Sequence, residues 1–443
     1  MRLVRSRASL SIVGLIAAAF LHGSALAIAS SPYSDRQWPE GTEVLSFENL
    51  DGIILIKGTV RGNDGRDSSG WFVLDTGAGQ LALDSRLAAH LGITKQVSTA
   101  PIGITDQPLP RLVIGSLTVD QVSPVLTFDA EIVRRAADRA VLGLIGQSVV
   151  RDRAVFINYQ AQTIALVPSR VDAPADDSTT TNPARAPYVP PTAVGVPFRL
   201  AEDGKALVRV RVTGPHRRFE SGWLTFALDT GASKCVLFDE AVASADADQL
   251  WEPSLEGLVA PTLMGKVATR LARAERIDVG GYAGAQLPVA PAVGAPQVDI
   301  AVLSSPLSGD LSRVAGEPVH GLLGYSFLRR FRSVCDYPNQ MLWLDPVTDF
   351  RDDRPYEHTH AGLQLERDGD KARVAAVASD SPGARSGIRP GDEIVAINGK
   401  PTSGSPVSSL ARLMEGPPGT QLTITIRRGE VDTIHKLRRR RLL

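Results

Sequence analysis

Short β-branched runs, each closed by glycine, proline or another turn former, recur along most of this 443-residue chain. Ile53–Ile56, Arg111–Ile114 and Leu207–Val212 have the strand pattern, in which branched side chains pack well on a pleated surface. Apolar spacing near one helical turn is confined to brief stretches and predicts short helices at Leu87–Leu91, Ala130–Ala140 and Ser408–Met414. Between Val171 and Pro191 the chain is mostly Pro, Ala, Asp, Ser and Thr, the composition of a linker. After Asp353 four more strands are predicted close together, at Gly362–Glu366, Ala372–Val377, Glu393–Ile397 and Gln421–Ile426.

The segments on either side of the linker repeat each other. Phe72-Val73-Leu74-Asp75-Thr76-Gly77-Ala78 returns as Phe226-Ala227-Leu228-Asp229-Thr230-Gly231-Ala232. Gly143-Leu144-Ile145-Gly146, followed by Val155–Tyr159 and Ile164–Leu166, returns as Gly321-Leu322-Leu323-Gly324, then Val334–Tyr337 and Leu342–Leu344. Three landmarks in one order mark a duplication at the scale of a lobe. Length allows two or three units, and 40 glycines and 30 prolines fit many turns and short strands. The expected fold class is mainly β, with two homologous closed β lobes and a small third domain.

Zero formal net charge provides no general field for nucleic acid or anionic lipid, so nucleic-acid binding is not expected. Arg2, Arg5 and Arg7 precede an apolar run from Ala8 to Leu21 and an Ala25-Leu26-Ala27 site, the layout of a secretory signal peptide over residues 1–27. An uncleaved anchor is the alternative. The reading is an exported protein, periplasmic or extracellular, with no stable membrane insertion after cleavage. Cys235 and Cys335 are the only cysteines; they allow one disulfide, with two buried thiols as the alternative. No histidine spacing suits a metal, so neither metal nor cofactor is expected.

The repeated motif carries the candidate chemistry. Hydrolysis of a peptide bond by water needs a base and an acid, and two carboxylates held close together supply both because the pair retains one proton. One lobe provides one aspartate, and duplication provides the second. Asp75 and Asp229 are therefore the candidate catalytic pair. Gly77 and Gly231 allow a tight turn that brings backbone N–H groups to the carboxylates, and Thr76 and Thr230 can bond across the lobe interface. Gly146 and Gly324 mark a strand packed behind each aspartate.

With D-T-G-A and the apolar-apolar-Gly element in both halves, residues 41–350 resemble a duplicated retropepsin-like or pepsin-like aspartic protease, a pseudo-dimer in one chain. The resemblance implies an aspartic-type endopeptidase acting on polypeptide substrates, with Asp75 and Asp229 catalytic, Thr76, Gly77, Thr230 and Gly231 supporting, and cleft-covering hairpins at Val97–Leu112 and Leu258–Arg276. A non-catalytic protein that clamps peptides between its lobes is the alternative.

Ala361–Leu365, the run Ser381–Ile394 with its Arg389-Pro390-Gly391-Asp392-Glu393-Ile394 and Val395–Gly399 resemble a PDZ domain. That implies an added peptide strand or C-terminal tail held by the loop Gly362, Leu363, Gln364 and Leu365, recruiting substrate or a partner; a packing module that props up the lobes is the alternative. The expected division is signal peptide 1–27, first lobe 41–170, linker 171–191, second lobe 192–350 and PDZ domain 355–439. All residues assigned to the chemistry precede Asp353, so the lobes are expected to fold without the last domain. Arg438–Arg441 reads as a solvated basic tail.

Overall fold

The computed structural model describes residues 38–93, 97–99, 102–105, 107–131, 133–134, 139–169, 185–215, 220–238, 251, 254–262, 265–283, 287–352 and 354–443. The expected signal peptide and the 171–184 part of the expected linker lie outside these residues, as does part of the helix expected at 130–140.

Each half of the repeat builds a sheet on the same plan. In the first, Ile53–Arg61 pairs antiparallel with Asp67–Leu74. The latter pairs in parallel with Val141–Ile145, which lies antiparallel to Leu81–Asp84. The second half gives the same neighbours: Ala206–Thr213 beside Glu220–Leu228, then Gly321–Leu323 in parallel, then Cys235–Phe238. The strands leading into Asp75 and Asp229 are central and covered on both faces. Phe72, Val73, Leu74, Phe226, Ala227 and Leu228 are all buried, which explains continuous apolar runs where a half-exposed strand would alternate. In the second lobe the long strand Gly265–Ala283 pairs with Ser254–Thr262, Leu287–Leu303 and Ala206–Thr213, and the last pairing closes the sheet on itself.

A third sheet belongs to both halves. Its six strands run in the order Glu43–Ser46, Thr163–Pro168, Arg153–Asn158, Phe331–Asp336, Met341–Pro346, Val194–Pro197. The central pairing of Arg153–Asn158 with Phe331–Asp336 joins equivalent strands of the two copies across the approximate two-fold axis. One apolar core runs through the lobes, holding Phe72, Leu74 and Ile145 together with Phe226, Leu228 and Leu323. The end of the expected linker belongs to this body too, for Tyr188 and Val189 are buried and the Tyr188 hydroxyl donates to Asp336 at 3.2 Å.

The C-terminal domain is a sheet ordered Leu363–Asp368, Lys371–Val377, Glu393–Ile397, Gln421–Arg428, Val431–Arg438, with helices Pro382–Arg385 and Val407–Met414. The strand Val431–Arg438 was not expected because its side chains are almost all exposed, so its sequence lacks a buried face to read. Chain, fold class and sheet content agree: the protein is mainly β, with two like lobes and a PDZ-type unit.

Of the two readings open for the cysteines the second holds, and one expectation, the free basic tail, is corrected. Cys235 and Cys335 are free, buried thiols. Cys235 sits in the second-lobe sheet and Cys335 in the shared sheet, so the duplication places them on separate layers, and burial raises both thiol pKa values. The basic end is not a free tail: Arg440–Arg441 pairs with Thr359–His360, and Arg439 donates to the Leu413 and Met414 carbonyls at 2.9 and 2.7 Å, at a helix C-terminus where a cation is favoured. Finally, the lobes do not stand apart from the residues after Asp353. Lys234 meets Glu357 at 2.8 Å and His358 meets Asp299 at 2.8 Å, both buried, and Arg354 meets Asp51 at 3.2 Å in a part-buried pair. Residues 354–360 thus supply partners to three lobe charges, although Lys234 and Asp299 also pair with each other and Asp299 with Arg273.

Among the described residues no helix is long and apolar enough to cross a membrane.

Candidate functional site

Asp75 and Asp229 leave the ends of their central strands and meet where the lobes touch, each almost fully buried. The turn geometry is the same in both. Gly77 N–H donates to Asp75 Oδ1 at 2.9 Å and Gly231 N–H donates to Asp229 Oδ1 at 2.8 Å. The glycines are required by close approach across the interface. A Cβ on Gly77 would lie 2.5 Å from Asp229 Cγ, and one on Gly231 would lie 2.7 Å from Asp75 Cγ. Each carboxyl group therefore rests on the other lobe's glycine, which brings the two aspartates face to face.

The threonines lock this arrangement. Thr76 N–H donates to Thr230 Oγ1 at 3.1 Å, and Thr230 N–H donates to Thr76 Oγ1 at 3.0 Å. The hydroxyls donate in turn to the carbonyls of Leu228 and Leu74, at 3.2 and 2.8 Å. All four bonds cross the interface and all are buried, where an unmade bond is expensive. Behind each aspartate, its own N–H donates to the carbonyl of Ile145 or Leu323, at 3.0 and 3.1 Å. Gly146 and Gly324 begin the next turn, and a Cβ there would strike the Gln80 or Lys234 carbonyl at 2.3 and 2.4 Å.

Burial raises both carboxyl pKa values, since a charge is poorly solvated there. Asp75 is pushed up to about 6, tempered by the bond from Asp229 and by Gly77. Asp229 is pushed well above the ordinary range by burial and then by the neighbouring Asp75 charge. Burial and the closeness of the two carboxyl groups thus let the pair keep a shared proton to higher pH than isolated carboxylates would.

Two contributors escaped the sequence reading. Gln147 Nε2 donates to the Thr76 carbonyl and to the Tyr337 hydroxyl, both at 2.9 Å, and so buttresses the turn from behind. Lys205 is 1% exposed, is paired with Asp203, and its charge lowers the pKa of both aspartates. The repeat held a signal for it. Asp51-Gly52-Ile53 and Asp203-Gly204-Lys205 occupy equivalent places before the first inner strand of each lobe, and a lysine replacing an isoleucine breaks the symmetry on one side.

Ser233, directly after the second D-T-G-A, is buried with its hydroxyl unpartnered, while the adjacent Lys234 is engaged by Glu357 and Asp299 at 2.8 and 3.6 Å. Asp299, Glu357 and His358 come near enough to one another for a metal ion. Lys234 and Arg273 already neutralise that cluster. Although burial opposes it, His358 and Lys234 hold Asp299 well below the carboxylate range, and Lys234 and Arg354 do the same for Glu357. Of the expected PDZ loop, Gly362 adopts φ +77° and its N–H donates to His360 Nδ1 at 3.0 Å. Leu363, Gln364 and Leu365 enter the edge strand.

Comparison with known proteins finds a PDZ domain model matching residues 373–428. A carboxy-terminal-processing protease of Bartonella bacilliformis is 34% identical over 101 residues, 21% of this chain and 23% of that protein. A probable CtpA-like serine protease of Staphylococcus saprophyticus is 29% identical over 80 residues, 18% of this chain and 16% of that protein. Among solved structures, an aspartic proteinase from Irpex lacteus is 12% identical, with a TM-score of 0.37, over 70% of this chain and 98% of that one. The chain thus spans less than a quarter of the length of these curated relatives. The relatives correct one expectation. The enzyme class drawn from the resemblance was the aspartic type, whereas the curated proteins that this chain matches are named as serine and carboxy-terminal-processing proteases. The family match itself lies at 373–428, outside the lobes that carry Asp75 and Asp229.

Proposed function

We propose that this chain is an exported, PDZ-bearing protease in which Asp75 and Asp229 form the acid–base pair for hydrolysis of a peptide bond. The observation that carries the reading is the crossed packing of each carboxyl group on the other lobe's glycine, with burial raising both pKa values. The chemistry follows from the single shared proton. Asp75, as carboxylate, removes a proton from a water whose oxygen bonds to the carbonyl carbon, while Asp229 gives its proton to the carbonyl oxygen. The proton on Asp75 then passes to the departing amide nitrogen, the oxygen proton returns to Asp229, and the C–N bond breaks. Acid and amine leave, and the pair regains its starting state.

The PDZ domain is read as the recruiting unit, binding a peptide or C-terminal tail of substrate or partner. The division into lobes at 41–170 and 192–350, with the PDZ unit at 355–439, belongs to the same proposal. So does export, which rests on the basic, apolar and A-x-A order of residues 1–27. The test is cleavage of an unbiased peptide library by the full chain, by Asp75→Asn, by Asp229→Asn and after treatment with a serine-directed fluorophosphonate. Loss of cleavage in both variants, with the reagent inert, supports the pair. Cleavage that survives both substitutions and falls to the reagent assigns the serine chemistry by which the relatives are named.

A further inference from the structure

Among the described residues the edge strand Leu363–Asp368 of the C-terminal sheet has one strand partner, Lys371–Val377, and its other edge faces the helix Val407–Met414. An extended peptide adds to such an edge and sinks its side chains between strand and helix. In this molecule the place is already taken. The second-lobe hairpin formed by Ser254–Thr262 and Gly265–Ala283 lies against it. Val259 N–H donates to Gln364 Oε1 at 3.1 Å, and Gln364 Nε2 donates to the Val259 carbonyl at 2.7 Å. The glutamine side chain thereby satisfies both backbone groups of one residue, as a neighbouring strand would. Ser379 N–H donates to the Glu256 carbonyl at 2.9 Å, and Lys266 meets Glu366 at 2.5 Å. At Gly257, φ +78°, a Cβ would stand 2.8 Å from the Val377 carbonyl, so the hairpin is seated as closely as backbone allows.

The seat is incompletely filled. A cavity of about 140 Å³ remains between the two, walled by Leu255 and Leu258 of the hairpin and by Leu363, Leu365, Ala411 and Met414 of the domain. That lining suits one apolar side chain. The hairpin also continues into the structure around Asp229: Gly265–Ala283 pairs with Ala206–Thr213, which pairs with the strand that ends at Asp229.

We propose that the hairpin is the resident occupant of the peptide groove, and that an extended peptide with an apolar anchor residue displaces it when it adds to this other edge of Leu363–Asp368. Peptide recognition then sets the freedom of the strand pair that runs into the Asp229 sheet. This deepens the role proposed above for the C-terminal domain, but the competition itself needs no catalysis. The apparent affinity of the groove for peptide is lowered by the fraction of molecules in which the hairpin is seated.

The experiment uses the full chain and a fluorescein-labelled heptapeptide ending in leucine. Hydrogen–deuterium exchange is followed over 254–262 while the peptide is titrated, and peptide affinity is measured by fluorescence anisotropy. Binding is expected to speed exchange in 254–262. Gln364→Ala removes two hairpin bonds and should tighten the peptide by about tenfold, and the exposed-pair variant Lys266→Ala should act in the same direction more weakly. Absence of binding to all three proteins, exchange that slows or stays unchanged on binding, or equal affinity in wild type and both variants would overturn the proposal. None of these readouts depends on cleavage, so the acid–base reading and this one fail separately.

Discussion

Thr76→Val tests whether the crossed threonines hold the two aspartates in register. Valine keeps the shape of threonine and deletes the hydroxyl. In the wild type that hydroxyl accepts from Thr230 N–H at 3.0 Å and donates to the Leu228 carbonyl at 3.2 Å, in a fully buried setting. The substitution leaves a buried N–H with no acceptor and a buried carbonyl short of one donor. An orphaned buried group costs about 1–3 kcal/mol, with the donor at the upper end, so a loss of about 2–5 kcal/mol is expected. That is a large part of the 5–15 kcal/mol typical of a folded domain. Thr76→Ser keeps the hydroxyl and should lie within about 1 kcal/mol of wild type once the lost methyl is counted. Thr230→Val, the symmetric change, should match Thr76→Val. The double variant should lose less than the sum of the two, because both act on one network. Urea unfolding followed by circular dichroism, with equal slopes among the variants, measures each difference. If Thr76→Val proves as stable as Thr76→Ser, the interlobe bonds do not bear the load assigned to them.

The charged cluster behind the second lobe should be as unforgiving, since Glu357→Ala leaves Lys234 and Arg354 buried with one partner fewer. A loss of about 3–5 kcal/mol is expected, read as a fall in thermal midpoint that the conservative Glu357→Asp partly recovers. Burial that raises Asp75 to about 6 means that the folded state keeps a proton the unfolded chain releases. Its contribution to stability is full below about pH 4 and is lost as pH rises through about 6. Asp75→Asn should therefore gain on wild type between pH 4 and 7 in denaturant titrations, and an unchanged gap between those pH values would contradict it. Asp299 and Glu357 have the opposite sign, being held low, and their contributions fade only as the solution becomes more acid. Lys205→Met removes the charge that lowers both aspartates; the acid limb of the cleavage profile should move to higher pH, with no movement ruling out an electrostatic role for that lysine.

The repeat was legible because its landmarks are local. An apolar strand, D-T-G-A and an apolar-apolar-Gly turn each describe a few consecutive residues, and each found its place: two buried central strands, two glycines forced by close approach, two aspartates delivered to one point. The strands of the C-terminal unit with a buried face were read for the same reason, whereas Val431–Arg438 has almost no buried face and went unseen.

What the chain alone could not state were the relations between distant segments. Pairing of Arg153–Asn158 with Phe331–Asp336 depends on the two halves meeting about their common axis, and no property of either strand names its partner. Separation of Cys235 from Cys335 follows from that same layering. Charges such as Lys234, Asp299 and Glu357 look in sequence like any solvated residues, and only the fold removes water from them and so forces them to find one another. The seat of the hairpin on Gln364 is likewise a contact between residues 105 positions apart. Residue type and spacing determined the strands and the aspartates of this protein; tertiary structure decided which surfaces face each other, because burial and register are properties of the packed whole.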